Sequence, residues 1–204
     1  MRRLIIISLL ALGISGCASY TVNVTGYGGL DNYPAKTYDF MLSQDIKTDL
    51  EAMGYVSILE KQLACIGWKR DAGTPEYMIA PSFGITGVNS NEPEARFGIG
   101  IGTGSFGGGL SLGTFLGTSA GSSSGDDYTK FLDVKLFAKG RTDEQPVWQG
   151  KIFIRDSEDK LSGVMPVLVK YAVENFGKST DGSKEFTFNA TGKNMEALET
   201  CPAE

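Results

Sequence analysis

The sequence predicts an α+β fold: a two-layer sandwich whose mostly antiparallel sheet carries two helices on one face, plus a glycine-rich hairpin or loop insertion. Three observations predict it. Two segments repeat apolar residues every three or four positions, and several others alternate them strictly. The elements then run strand, helix, strand, glycine-rich excursion, strand, strand, helix.

The chain opens on a leader. Arg2 and Arg3 form a short positive region, Leu4 to Leu12 an apolar run of nine residues, and Ile14-Ser15-Gly16-Cys17 places small residues before a cysteine. That order reads as a signal peptide. A membrane-spanning helix needs roughly 20 apolar residues, and this run is too short. Ile14 to Cys17 resembles the four-residue box of bacterial lipoproteins, which implies cleavage after Gly16, diacylglyceryl transfer to the Cys17 thiol and acylation of the new amino terminus. Ala18, rather than Asp, follows the cysteine, which favours sorting to the outer membrane with the domain facing the periplasm.

Without residues 1–16 the chain keeps 188 residues, enough for one domain with a sizeable core. The leader removes two arginines, leaving 17 Lys+Arg against 24 Asp+Glu, formally −7. This acidic balance argues against nucleic acid and against a polybasic grip on anionic lipid. Membrane contact is expected from the acyl chains on Cys17 alone. Cys65 and Cys201 remain, and an oxidising compartment permits a disulfide between them. The alternative is that Cys65, inside a helical run, is a small buried apolar residue. The chain has no histidine, which removes the usual general base and the commonest metal ligand.

Residues 17–34 read as a lipidated tether, polar enough to lift a domain off the bilayer, with a short strand hidden in residues 20–24. The domain proper is expected over 35–177, starting with a strand at Lys36 to Met41. Asp45 to Ile66 reads as helix, best from Asp49 onward, with Met53, Val56, Leu59, Leu63 and Ile66 on its apolar face, extended less securely by Leu50 and Ala52. Gly67 closes it. Glu76 to Val88 alternates as a strand, and Pro81 within it argues for an edge or a bulge. Residues 91–127 are the glycine-rich insertion, whose start at Phe97 to Gly102 alternates apolar residues with glycine. Thr129 to Lys139 and Pro146 to Arg155 form a hairpin. Ser162 is expected to cap a helix that runs to about Phe176 and ends at Gly177. Residues 178–204 read as a C-terminal tail with one strand at Glu185 to Asn189.

Several of these pieces resemble the domain-of-unknown-function 4136 family of bacterial envelope lipoproteins: the leader, Lys36-Thr37-Tyr38-Asp39-Phe40, the helix ending in Gly67-Trp68, Pro75-Glu76-Tyr77-Met78-Ile79 and Pro146-Val147-Trp148-Gln149-Gly150. The resemblance covers roughly residues 36–176. It implies a fold and an envelope location, and it brings no catalytic residues.

Catalytic look-alikes fail on their own chemistry. Gly102 to Gly107 fits a dinucleotide fingerprint but no helix is expected after it. Gly109 to Gly113 and Gly117 to Gly121 fit a hydrolase elbow, which needs a histidine. Ser157 to Lys160 fits a serine–lysine pattern in a charged turn. Asp126-Asp127 and Asp156, Glu158 and Asp159 do not follow a calcium-loop spacing. Trp68 and Trp148 border apolar elements and read as core. No catalytic residue, metal or cofactor is expected.

Large apolar residues among the glycines, including Phe106, Leu110 and Phe115, suit either a hairpin packed on its own domain or a contact surface for an envelope protein or a second copy. The expectation is a non-enzymatic, membrane-anchored binding or scaffolding module of the cell envelope. The alternatives are a periplasmic hydrolase working with carboxylates alone, and a small-ligand or lipid carrier.

Overall fold

The computed structural model describes residues 18–30, 36–87, 95–99, 128–142, 145–198 and 200–201. Among these the fold is α+β, with a mostly antiparallel open sheet and four helices. The strands are β1 (Ala18–Gly28), β2 (Thr37–Phe40), β3 (Lys69–Arg70), β4 (Tyr77–Gly87), β5 (Ala95–Ile99), β6 (Tyr128–Ala138), β7 (Trp148–Asp156) and β8 (Lys184–Ala190). The helices are α1 (Gln44–Thr48), α2 (Leu50–Cys65), α3 (Met165–Glu174) and α4 (Gly192–Ala197). The sheet order is β3-β2-β4-β6-β7-β1-β8, and β5 pairs with the second half of β4.

The hairpin expected from alternation forms as β6 and β7, with Leu136 opposite Trp148 and Tyr128 opposite Asp156. Alternate residues of the sheet (Val22, Val24, Ile79, Leu132, Val134, Leu136, Ile152, Ile154) join one core cluster with Val56, Leu59 and Leu63 of α2 and Val167, Leu168, Tyr171 and Ala172 of α3. Gly67 and Gly177 follow the two long helices at φ +83° and +74°, a conformation that costs glycine little.

The expected tether is corrected first. Residues 18–28 are a full strand in the interior of the sheet, antiparallel to β7 on one side and β8 on the other. Among its described side chains only Val22 and Val24 are apolar and fully buried, so the local signal was short, and the two partner strands supply the rest. The strand expected in the tail at Glu185 to Asn189 forms, and it bonds to β1. β8 is the outer strand of this sheet, and Thr191 then caps α4 by accepting from the Asn194 N–H at 3.2 Å.

The helix expected over 45–66, best from Asp49 onward, forms as two, and the longer one starts after Asp49. Asp49 has extended backbone (ψ 119°) and its Oδ1 accepts from the Ala52 N–H at 2.9 Å, starting α2 afresh. Within α2 the buried face runs through Ala52, Tyr55, Val56, Leu59 and Leu63, which leaves Leu50 and Met53 outside it. Ser162 is not a cap. Val164 precedes α3 without a side-chain cap, and Pro166 occupies its first turn, where a missing N–H costs nothing.

Pro81 sits in an interior strand, opposite Val134 of β6. On the other edge Met41 N–H donates to the Ile79 carbonyl at 2.8 Å. The next bond of this parallel ladder would come from residue 81, which has no N–H, so β2 ends there.

Candidate functional site

Cys17 and Gly16, where lipidation and cleavage are expected, lie outside the described residues, as do Phe106, Leu110 and Phe115. What is described starts immediately after the cysteine: Ala18 is the first residue of β1, opposite Ala190. The same end of the sheet holds the last residue of β4, Gly87, opposite Tyr128, which in turn lies opposite Asp156. An ion pair closes this end. Lys130 is fully buried, and its Nζ lies 2.6 and 2.8 Å from the two Asp156 carboxylate oxygens. Asp156 Oδ1 also accepts from the Glu158 N–H at 2.9 Å. Burial, with Asp156 and Glu158 adding negative charge, raises the Tyr20 hydroxyl above its ordinary pKa.

A cleft of about 430 Å³ opens beside this end, between the start of α2, the second half of β4 and the loop after β7. Tyr55, Phe83, Ile85 and Leu161 give it an apolar floor, and Asp49, Glu51 and Asp159 bring carboxylates to it. Two of the three are engaged. Asp49 caps α2, and Glu51 accepts the Tyr55 hydroxyl one turn further on. Burial first, and then the bond to Glu51, push the Tyr55 hydroxyl far above its ordinary pKa, so it stays a neutral donor. Ser157 and Lys160 of the serine–lysine pattern are both exposed in the loop after β7.

The two remaining cysteines meet. Cys65 at the end of α2 and Cys201 form a disulfide with Cα atoms 5.2 Å apart, closing 136 residues of chain. Next to it Gln62 Nε2 donates to the Leu198 carbonyl at 2.7 Å, holding the segment after α4 against α2. A second groove of about 450 Å³ lies here, between α2, α3 and β8, lined by Ile66, Val173, Phe188 and Asn194 among others.

Sequence reasoning passed over one buried acid. Asp133 alternates with the core residues Leu132 and Val134, so it points to the face of the sheet opposite α2 and α3, yet it is only 3% exposed. Gln149 Nε2 lies 2.8 and 2.9 Å from its carboxylate oxygens. Burial raises its pKa above the usual carboxylate range, opposed by Gln149, Lys135 and Lys151. The strict alternation of Thr129 to Lys139 marked position 133 as outward-facing, and nothing local distinguishes a buried outward face from a wet one. Both tryptophans are core: Trp148 packs on Phe176 at 4.7 Å and Phe176 on Trp68 at 5.0 Å. Among the described residues no group of three His, Cys, Asp or Glu side chains could hold a metal ion, and no helix is long and apolar enough to cross a membrane.

No family model matches this chain, and no curated protein matches its sequence. Solved structures are similar to it in shape. A PDZ domain protein from Parabacteroides distasonis aligns over 88% of this chain at 12% identity with a TM-score of 0.50, and this chain spans 41% of that protein's length. The PelC dodecamer from Paraburkholderia phytofirmans aligns over 78% of this chain and 99% of its own, at 13% identity and a TM-score of 0.40. A point variant of the same dodecamer gives 12% and 0.41. At such identities the similarity to the PDZ domain protein speaks to the fold alone.

Proposed function

We propose that this chain is a lipid-anchored, periplasm-facing module of the outer membrane that binds or scaffolds an envelope partner rather than catalysing a reaction. The observation that carries the reading is the Cys65–Cys201 disulfide. Such bonds persist in oxidising compartments and are rare where thiols are kept reduced, so the bond supports export, as the leader and the Ile14 to Cys17 box do. The complete lack of histidine weighs against most hydrolytic chemistry at neutral pH. The same reading takes in kinship with the unknown-function lipoprotein family, a two-layer arrangement of sheet and helices, and a partner surface within the glycine-rich stretch 91–127. Metabolic labelling with an alkynyl fatty acid tests the anchor: the native chain should carry label and Cys17→Ser should lose it. Photocrosslinking through residue 106 or 115 in intact cells tests the partner surface, and capture of a discrete envelope protein is the expected result.

A second reading is favoured by the cleft at the start of α2. Carboxylates reach it from α2 (Asp49, Glu51) and from the loop after β7 (Asp159), as a carboxylate-only glycosidase would require. Incubating the purified protein with peptidoglycan strands decides it. Turnover lost on Asp159→Asn or Glu51→Gln would establish the hydrolase and overturn the scaffold reading.

A further inference from the structure

The first residue of β1 and the first residue of α2 lie at the same end of the domain. Helix α2 runs back along β4: Trp68, just past its carboxyl end, packs on Tyr77 at 5.3 Å, and Tyr55 packs edge-on against Phe83 at 5.3 Å. Leu50 therefore projects about 7 Å past the level of Tyr55, toward the end of the sheet where β4 stops at Gly87. The cleft lining agrees, since it joins Asp49 and Glu51 to Ile85 and to the loop after β7. On the other side of the sheet Val22 lies opposite Ile154, so Ala18 extends beyond the Gly87–Tyr128–Asp156 line at this same end. Three strand intervals, about 14 Å, separate β1 from β4.

Leu50 is 91% exposed and Met53 is 37% exposed, and the other exposed large apolar side chain among the described residues, Tyr27, lies at the opposite end of β1. In water an exposed leucine side chain gains no burial energy. Against a lipid surface its side chain leaves water.

We propose that this end of the domain rests directly on the bilayer and that Leu50 and Met53 enter its interfacial region as a second contact beside the acyl chains. The inference rests on the lipid-anchor reading, because Cys17 immediately precedes β1. Consecutive Cα atoms are about 3.8 Å apart, so no slack separates an acylated Cys17 from the sheet. A strand bonded on both sides cannot be paid out as a tether without breaking its ladders with β7 and β8. Asp49, Glu51 and Asp159 line the cleft at this end with Lys160 as its one cation, and Glu158 lies beside Asp156, so the surface it fits is zwitterionic rather than anionic.

The test uses the full-length protein purified from bacterial membranes, its acylation read by mass, in phosphatidylcholine vesicles carrying nitroxide-labelled lipid. A fluorescent thiol label is placed at Leu50→Cys or, at the opposite end, at Lys139→Cys. Cys65 and Cys201 are paired and do not compete for it. Quenching at position 50 should exceed that at 139 by about threefold or more, as for side chains seated in the interface. With the label moved to Lys47→Cys, the double change Leu50→Asp and Met53→Asp should lower quenching, and both side chains are exposed enough for the fold to survive. Acylated protein with equal quenching at 50 and 139 would overturn this orientation and leave the anchor standing. Protein without acyl mass would overturn both.

Discussion

The indole of Trp148 fills the space above Gly150, two residues further along the same strand: a Cβ built on Gly150 would sit 2.4 Å from the ring. Gly26 of β1 is the cross-strand partner of Gly150, and a Cβ there would meet the Lys178 carbonyl at 2.4 Å. That same carbonyl accepts the Trp148 Nε1–H at 3.0 Å. Two facing glycines thus make room for one tryptophan and for the backbone that satisfies its donor.

Gly150→Ala should therefore destabilise the fold by roughly 1–3 kcal/mol, the cost of forcing an extra methyl into a packed core. Urea unfolding followed by tryptophan fluorescence measures it. Gly54→Ala serves as the control, because nothing lies within 4 Å of a Cβ there and helix propensity favours alanine. Equal loss at both positions would discount the indole contact.

The buried Lys130–Asp156 pair predicts an asymmetric response. Asp156→Ala strands an ammonium group inside the protein and should cost roughly 3–5 kcal/mol, whereas Lys130→Met removes the charge and should be close to neutral. A comparable loss in both variants would mean that the pair itself, and not its desolvation, dominates. Thermal unfolding of the two single variants and the double variant separates the contributions.

Asp133 predicts a pH dependence with a definite sign. Its folded carboxyl titrates above the unfolded one, so between those two values the native state holds a proton that the unfolded chain has released. The stability this group contributes is present below the ordinary aspartate range and is lost as pH rises through the raised folded value. Asp133→Asn, which cannot ionise, should be more stable than the native chain at pH 8, with the difference vanishing near pH 4. Urea midpoints at those two pH values check it, and a gap that widens toward acid would reverse the assignment.

Removing the disulfide should weaken the body of the domain as well as release the C-terminal segment. Cross-linking residues 65 and 201 restricts a long loop of the unfolded chain, so Cys65→Ser should cost roughly 2–5 kcal/mol. Melting with and without reductant gives the same comparison in the native chain. A shift in the native protein that is missing in Cys65→Ser identifies this bond as its source.

By itself the sequence determined what a few neighbouring residues can decide. The alternation of Thr129 to Lys139 and of the strand after Pro146 specified the β6–β7 hairpin, the spacing of Val56, Leu59 and Leu63 specified the buried face of α2, and Gly67 and Gly177 marked the helix ends. Each signal lies within a turn or a strand, where periodicity and backbone sterics act locally. The tertiary structure decided what depends on distant partners. Residues 18–28 became an interior strand because β7 and β8, far along the chain, bond to both of its edges. Which side of α2 is covered was decided by the sheet and α3 packed against it, which buried Ala52 and Tyr55 and left Leu50 and Met53 outside. Whether Asp133 was wet, and whether Cys65 could reach Cys201, depended on which elements packed beside them. Hydrophobic periodicity says which way a side chain points, and only the packed neighbours say what it meets there.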